Sequence, residues 1–318
     1  MALHSPVLRY FDVVARLGSI RKAADRLNVA SSAINRQLIN LEEAIGTPVF
    51  ERLPRGVRLT AAGELLIKHV RNTLRDFAVV RSEIDDLRGL RKGNITIAAV
   101  EGVATEFLPS LLTEFHGSYP GITFTIHVLN GEQLTASLAA NEPDIGFMFN
   151  PPPSEDVISG ASIKLRIGAV MNPRHPLANR KSLRLADCEP FPVILPDITF
   201  PNRTWLDAAV SRSHKTFHPV AHSNSFQVMR ALAKHGLGIT FQTVIGIEAD
   251  LLAGELVYVP LREPAIEPSV LVALLRPTQK LSAVASIFLE QVRSRFEQME
   301  RSSSNSTAGG KRHRQAAG

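Results

Sequence analysis

At 318 residues, 44% hydrophobic and 21% charged, with a mean hydropathy of +0.03, the chain has the composition of a globular protein of two or three units. No stretch approaches the ~18 uninterrupted apolar residues of a membrane span, and the first nineteen residues lack a signal-length apolar run, so no membrane partner and a cytoplasmic location are expected. One cysteine, Cys188, excludes an internal disulfide and has no neighbours suited to metal binding; a structural thiol is expected there, with no cofactor anywhere.

Charge divides unevenly along the chain. Residues 1–92 hold 16 Lys and Arg against 10 Asp and Glu, residues 93–300 hold 16 against 20, and residues 301–318 hold 4 against none. A basic front on a mildly acidic body implies two kinds of partner, a polyanion for the front and something else for the body. The last segment, RSSSNSTAGGKRHRQAAG, has no apolar periodicity and reads as a disordered basic tail.

In residues 6–17, Val7, Leu8, Phe11, Val14 and Ala15 fall at helical spacing and predict a first helix with one apolar stripe. Ser19 is placed to cap a short second helix carrying Ala23, Ala24 and Leu27 inward, and Asn28 follows where a sharp turn needs a left-handed residue. Val29 plugs that turn. Ser31 or Ser32 then caps a third helix with Ile34, Leu38, Leu41 and Ile45 inward, ended by Gly46. At about 100° per residue, Ser32 and Arg36 lie opposite Ile34 with Asn35 at the side, giving a small, cationic helix start. The small Ala23 and Ala24 at the crossing let one helix brace another that projects into a DNA major groove, although any tight helical hairpin shares the spacing. Next, VFERLPRGVRLT reads as two short strands around a Pro-Arg-Gly turn, a wing whose Arg52, Arg55 and Arg58 suit phosphates or a narrow minor groove.

The string from LRYFDVV through SIRKAADRLNVASSAINRQLINLEEAIG to VFERLPRGVRLTAAGELL resembles the winged helix-turn-helix domain of LysR-type transcriptional regulators over nearly its whole length. The resemblance implies that Ser31, Ser32, Asn35, Arg36, Arg52, Arg55 and Arg58 face DNA. Many members have Gln-Pro where this chain has Ser31-Ser32, and Ser in place of Asn35, so the base preference is this chain's own.

Residues 61–87 continue without proline, and Leu66, Val70, Thr73, Phe77, Val80, Ile84 and Leu87 alternate by four and three. Such a seam predicts a helix paired with a second copy of itself, and hence an inverted-repeat operator; packing on its own domain is the alternative. The segment GLRKGN then reads as a flexible break.

From Ile95 the pattern turns to strand and helix units, implying a parallel sheet: ITIAAV, ITFTIHVL and DIGFMF as strands, with helices between, then PFPVILP, SNSFQVMRALAKHG and LGITFQ in a second lobe. This half resembles the effector-binding domain of the same regulators, which has the two-lobed fold of periplasmic solute-binding proteins. The expected architecture is α/β overall: a winged helix-turn-helix head (1–60), a linker helix and hinge (61–92), and a body (93–300) whose first lobe takes 93–166 and 270–300 and whose second takes 167–269. In that architecture the loops 102–105, 130–133, 196–200, 223–225 and 242–243 meet at the cleft. Thr105, Asn130, Thr199, Ser223 and Gln242 are the expected contacts of a small-molecule effector; each hydroxyl also suits a helix cap or turn. Glu101 and Asp197 near the cleft weigh toward an amine or a hydroxyl-rich ligand. The resemblance further implies a tetramer, RNA polymerase as a partner, and lobe crossings near 165–170 and 267–272 that hinge on ligand binding.

Three rival readings fit the sequence less well. No GxSxG, Walker loop, GxGxxG or HExxH supports an enzyme, and the His214, His218 pair lacks a third metal ligand. A transporter's solute receptor conflicts with the DNA-reading head, and an architectural DNA protein leaves some 200 residues of sensor unexplained.

Overall fold

The computed structural model describes residues 5–87, 92–198, 217–263, 266–277 and 280–312. Two compact units divide the chain, one built on the first 92 residues and the other on nearly all of the rest.

The head runs α1 (Pro6–Leu17), α2 (Ile20–Leu27), α3 (Ser31–Ile45), β1 (Phe50–Leu53), β2 (Gly56–Leu59) and α4 (Ala61–Leu87). Pro6 opens α1, where a missing N–H costs nothing. The Ser19 hydroxyl accepts from Lys22 N at 3.3 Å and caps α2. Asn28 takes the left-handed conformation at φ 54°, and Val29, half-buried, donates its N–H to Ala24 O at 3.1 Å. Phe11, Val14, Ala23, Ala24, Ile34, Leu38 and Val49 form the core between the helices. Burial of a handful of such side chains, each worth about 1.5–3 kcal/mol, holds the joint that the sequence pattern anticipates.

Three head expectations change. Neither serine caps α3: Ala30 is its N-cap, with Ala30 O accepting from Ala33 N at 3.0 Å and Ile34 N at 3.3 Å, so Ser31 and Ser32 sit inside the first turn. Ile45 is 42% exposed, because α3 outruns the core before Gly46 ends it. Finally, Val70 is fully buried in the head's own core, so this seam position is covered by its own domain, and Leu66 is half-buried against the same core.

In the body, β3 (Gly93–Ala99), α5 (Glu101–Ala104), α6 (Phe107–Ser118), β4 (Ile122–Val128), α7 (Gly131–Ala139), β5 (Ile145–Phe149) and β6 (Ile158–Leu165) build the first lobe. The second holds β7 (Gly168–Met171), α8 (Leu185–Cys188), β8 (Pro192–Pro196), β9 (His218–Ser223), α9 (Phe226–Lys234), β10 (Thr240–Gln242), α10 (Glu248–Leu252) and β11 (Val257–Pro260). The chain returns to the first lobe with β12 (Ser269–Leu275) and α11 (Ala283–Arg312).

The first sheet has the order β4-β3-β5-β12-β6, with β3 parallel to both β4 and β5. It is mixed, not all parallel: β12 runs antiparallel to β5 and β6, because it comes straight back from the second lobe without a crossover helix. In the second lobe β7 lies between β10 and β11, antiparallel to each, and β8 pairs parallel with β9. Alternation along the strands fills both faces: Ala169, Met171, Val193 and Leu195 enter one cluster, Val170 and Ile194 the other. The α11 helix covers the first lobe through Phe288, whose ring meets Phe115 edge-on at 5.2 Å, and Phe296, stacked on Phe107 at 5.8 Å. It then extends to Arg312, into the segment expected to be disordered: no proline interrupts it, and Ser302 Oγ donates to Gln298 O at 2.9 Å. Among the described residues no helix is long and apolar enough to cross a membrane.

Candidate functional site

On the head, Ser31, Ser32 and Arg36 are exposed along the first turn and a half of α3. With Ala30 offering no side-chain cap, the helix start keeps both serine hydroxyls and its first N–H groups turned outward, an arrangement that favours anions. The adjacent wing is set by the residues that surround it. Glu42 Oε1 accepts from Val49 N at 2.8 Å and Phe50 N at 3.1 Å, so α3 itself fixes where β1 starts. Thr60 Oγ1 donates to Pro48 O at 2.8 Å and caps α4 by accepting from Gly63 N at 3.1 Å. Gly56, at φ +130°, lies against the joint: a Cβ there would meet Gly18 O at 2.3 Å, while Val57 N donates to the same oxygen at 2.9 Å.

Arg52, Arg55 and Arg58 are all exposed, but differently engaged. Arg52 Nη2 donates to Asn35 Oδ1 at 3.1 Å, tying the wing to α3 and occupying part of a residue expected to face bases. Arg58 pairs with Glu51 at 2.7 Å. Neither Arg36 nor Arg55 has an ion-pair partner among the described residues. Exposed pairs such as Arg58 with Glu51 are worth at most ~1 kcal/mol, so a phosphate can displace them.

In the second half of α4, Val80 and Ile84 are 48% and 45% exposed and Phe77 is half-buried; the Leu87 side chain lies outside the described residues.

In the body, a cleft of about 420 Å³, open to solvent, lies between the lobes. Thr105, Phe149 and Ser269 from the first lobe face Phe226, Arg230, Gln242 and Thr243 from the second across it. Of the five expected contacts, Thr105 and Gln242 line it. Asn130 does not: its Oδ1 accepts from Gln133 N at 2.8 Å and its N–H donates to Gln133 Oε1 at 3.4 Å, a reciprocal cap on α7. Ser223 is drawn off as well, with Oγ accepting from Ser225 N at 3.1 Å in a turn after β9. Thr199 lies outside the described residues. Phe149, Ser269 and Arg230 were not anticipated; their signal was positional, Phe149 and Ser269 at strand ends and Arg230 one turn into α9.

Glu101, expected near the cleft, instead joins the lobes, and so does Glu106. Glu101 accepts from Ser225 Oγ at 2.7 Å and Phe226 N at 2.9 Å, capping α9 from the opposite lobe. Glu106 pairs with Arg230 at 2.5 Å and accepts from Ala249 N at 3.0 Å. Arg230 also bonds Asp250 and donates to Gly246 O at 3.0 Å, and Lys234 bonds Asp250 at 3.2 Å and Glu255. Burial pushes Glu248 up to about 7, reinforced by the neighbouring Glu106 carboxyl and opposed by its own bond from Gly246 N at 2.7 Å. Burial, with Asp187 adding repulsion, likewise pushes the fully buried Cys188 thiol up to about 12, an inert structural group. Among the described residues no cluster of His, Cys, Asp or Glu is suited to hold a metal.

A helix-turn-helix head with an open recognition helix, joined to a two-lobed body with a polar cleft, defines a ligand-responsive DNA-binding regulator. The chain belongs to the LysR family: residues 7–64 match the model for bacterial regulatory helix-turn-helix proteins of that family, and residues 88–297 match its substrate-binding domain. It is a transcription regulator with an effector-binding domain, and not an enzyme. It is 26% identical over 280 residues to the transcriptional activator CmpR of Synechocystis, covering 88% of this chain and 91% of that one. Full-length OxyR of Pseudomonas aeruginosa shares the fold with a TM-score of 0.68 at 19% identity, over 93% of this chain and 95% of that one. The regulator CbnR, solved in complex with its target DNA, matches with a TM-score of 0.57 at 20% identity, over 91% and 98%.

Proposed function

We propose that the protein binds an inverted-repeat operator as a cytoplasmic homodimer, assembling further to a tetramer, and that a small molecule in the cleft between the lobes controls its action at the promoter. Ser31, Ser32 and Arg36 enter the major groove, and Arg52, Arg55 and Arg58 hold the flanking backbone, with Asn35 acting chiefly through Arg52. The observation that carries this reading is the uncapped, exposed start of α3 beside three exposed wing arginines, of which Arg58 alone has an acidic partner among the described residues, Glu51: donors and positive charge gather where a helix meets DNA. The half of α4 beyond the head's core supplies the dimer seam through Phe77, Val80, Ile84 and Leu87. Similarity to a protein named a transcriptional activator extends the reading to RNA polymerase as a partner of the DNA-bound form.

Selection of genomic fragments by the purified protein at near-physiological salt tests it. A few recovered fragments sharing an inverted repeat are expected. Recovery of unselected DNA, with affinity falling steeply in salt and no shared sequence, would show phosphate binding alone and refute operator recognition.

A further inference from the structure

Resting on the reading of the cleft as the effector site, we propose that its ligand is a small monocarboxylic acid, the carboxylate held by Gln242, Thr243 and Ser269 and the apolar body lying against Phe149 and Phe226.

The argument begins with an unmet donor. Gln242 is only 6% exposed, lines the cleft, and its side-chain nitrogen is buried with no hydrogen-bond partner. A buried amide donor left unmade is costly and is retained where something else supplies the acceptor.

The neighbouring hydroxyls offer the same polarity. Thr243 Oγ1 already accepts from Ile245 N at 3.3 Å, and Ser269 Oγ accepts from Asn150 Nδ2 at 3.2 Å. With one of the two acceptor lone pairs engaged on each, both hydroxyls keep an O–H proton able to donate to a group in the cleft. The Gln242 nitrogen can only donate, and Thr243 and Ser269 can donate beside it, so the ligand group that satisfies all three is an acceptor.

Charge narrows the choice. Arg230 is the one ionised side chain among the described lining residues, and Glu106 and Asp250 both hold it, so the wall carries no surplus positive charge for a dianion. A cationic ligand fares no better: the two Glu101 oxygens are taken by Ser225 and Phe226 N, and Asp197 is not among the described lining residues. Neutral donors around a single carboxylate stabilise its charged form without an ion pair. The rings of Phe149 and Phe226 and the Ile245 side chain leave an apolar wall for the rest of the molecule.

The test is calorimetric titration of the full-length protein with a monocarboxylate series from acetate to phenylacetate, alongside benzamide, phenyl phosphate and glucose. Gln242→Ala, Gln242→Glu and Ser269→Ala are titrated in parallel, with melting temperature as the check on folding. At least one monocarboxylate binds; Gln242→Ala and Ser269→Ala each weaken it about tenfold and Gln242→Glu abolishes it, at nearly unchanged melting temperature. Binding of phenyl phosphate, benzamide or glucose as tight as any carboxylate, and sensitive to Gln242→Ala, overturns the ligand class while keeping the cleft as the effector site. Carboxylate binding indifferent to all three substitutions overturns the cleft itself as the site, and no binding by any member of the series overturns the proposal.

Discussion

At the level of single residues, the head shows which kinds of side chain are transparent in sequence. Asn28 and Gly18 take the left-handed conformations that their types invite, at φ 54° and 61°, because few other residues tolerate them. The function of Glu42 was hidden, since nothing in the pair Leu41-Glu42 reveals that its carboxylate will hold Val49 N and Phe50 N seven and eight residues on. Arg36, exposed and without an acidic partner among the described residues, is the residue on which base reading most directly depends. Arg36→Ala is expected to cost ~1–3 kcal/mol at a specific operator while changing the salt slope by no more than about one charge. Fluorescence titrations at several salt concentrations measure both; an equal loss on specific and unrelated DNA would reduce Arg36 to a phosphate contact. Gly56 carries a structural prediction. Gly56→Ala forces a Cβ onto Gly18 O in a conformation that L-residues rarely adopt, so the melting temperature of the protein falls and the wing shifts off the α1–α2 joint.

Elements teach a different lesson, and α4 states it most clearly. Its apolar positions at alternating spacing were legible, but periodicity tells which side of a helix is greasy and not what lies against it. Val70 meets the head's own core, whereas Val80 and Ile84, on the same stripe about three and four turns later, remain exposed. The two halves of the seam therefore answer differently to substitution. Val70→Ala leaves a cavity and lowers thermal stability by about 1–3 kcal/mol with little effect on assembly. Val80→Glu combined with Ile84→Glu leaves the fold intact and shifts the sedimentation of the protein toward the monomer at micromolar concentration. A double variant that sediments unchanged would place the dimer contact elsewhere. The cleft loops follow the same logic: Asn130 and Gln242 were equally polar candidates, yet Asn130 has Gln133 within reach for a cap, while Gln242 sits on a short buried strand with no local group to satisfy it. A residue three positions on decides between cap and ligand contact, and the S/T/N-x-x-E/Q pattern at 130–133 was the available signal.

Across the body as a whole, the two lobes are held by carboxylates that reach from one to the other, and this was not legible, because residues 124 and 143 positions apart meet there. Glu101 caps α9, and Glu106 joins Arg230 and Ala249 N while hydrogen-bonding to Glu248. The proton shared at Glu248 makes that clasp sensitive to pH. Its folded-state pKa, raised to about 7 from 4.5, means that the native body binds more protons than the unfolded chain between those two values. Stability therefore decreases as pH rises through that window, by roughly 3 kcal/mol in all, and is fully retained below it. Arg230 and Asp250, on the other side of the network, keep their charges throughout and cannot produce the effect. Glu248→Gln, neutral at every pH, retains an amide able to bond Glu106 and is expected to flatten the curve of unfolding free energy between pH 5 and 7.5, a comparison that urea unfolding at a series of pH values makes directly. If wild type and variant trace parallel curves, the titrating group lies elsewhere and the clasp is held by Arg230 and the α9 cap alone.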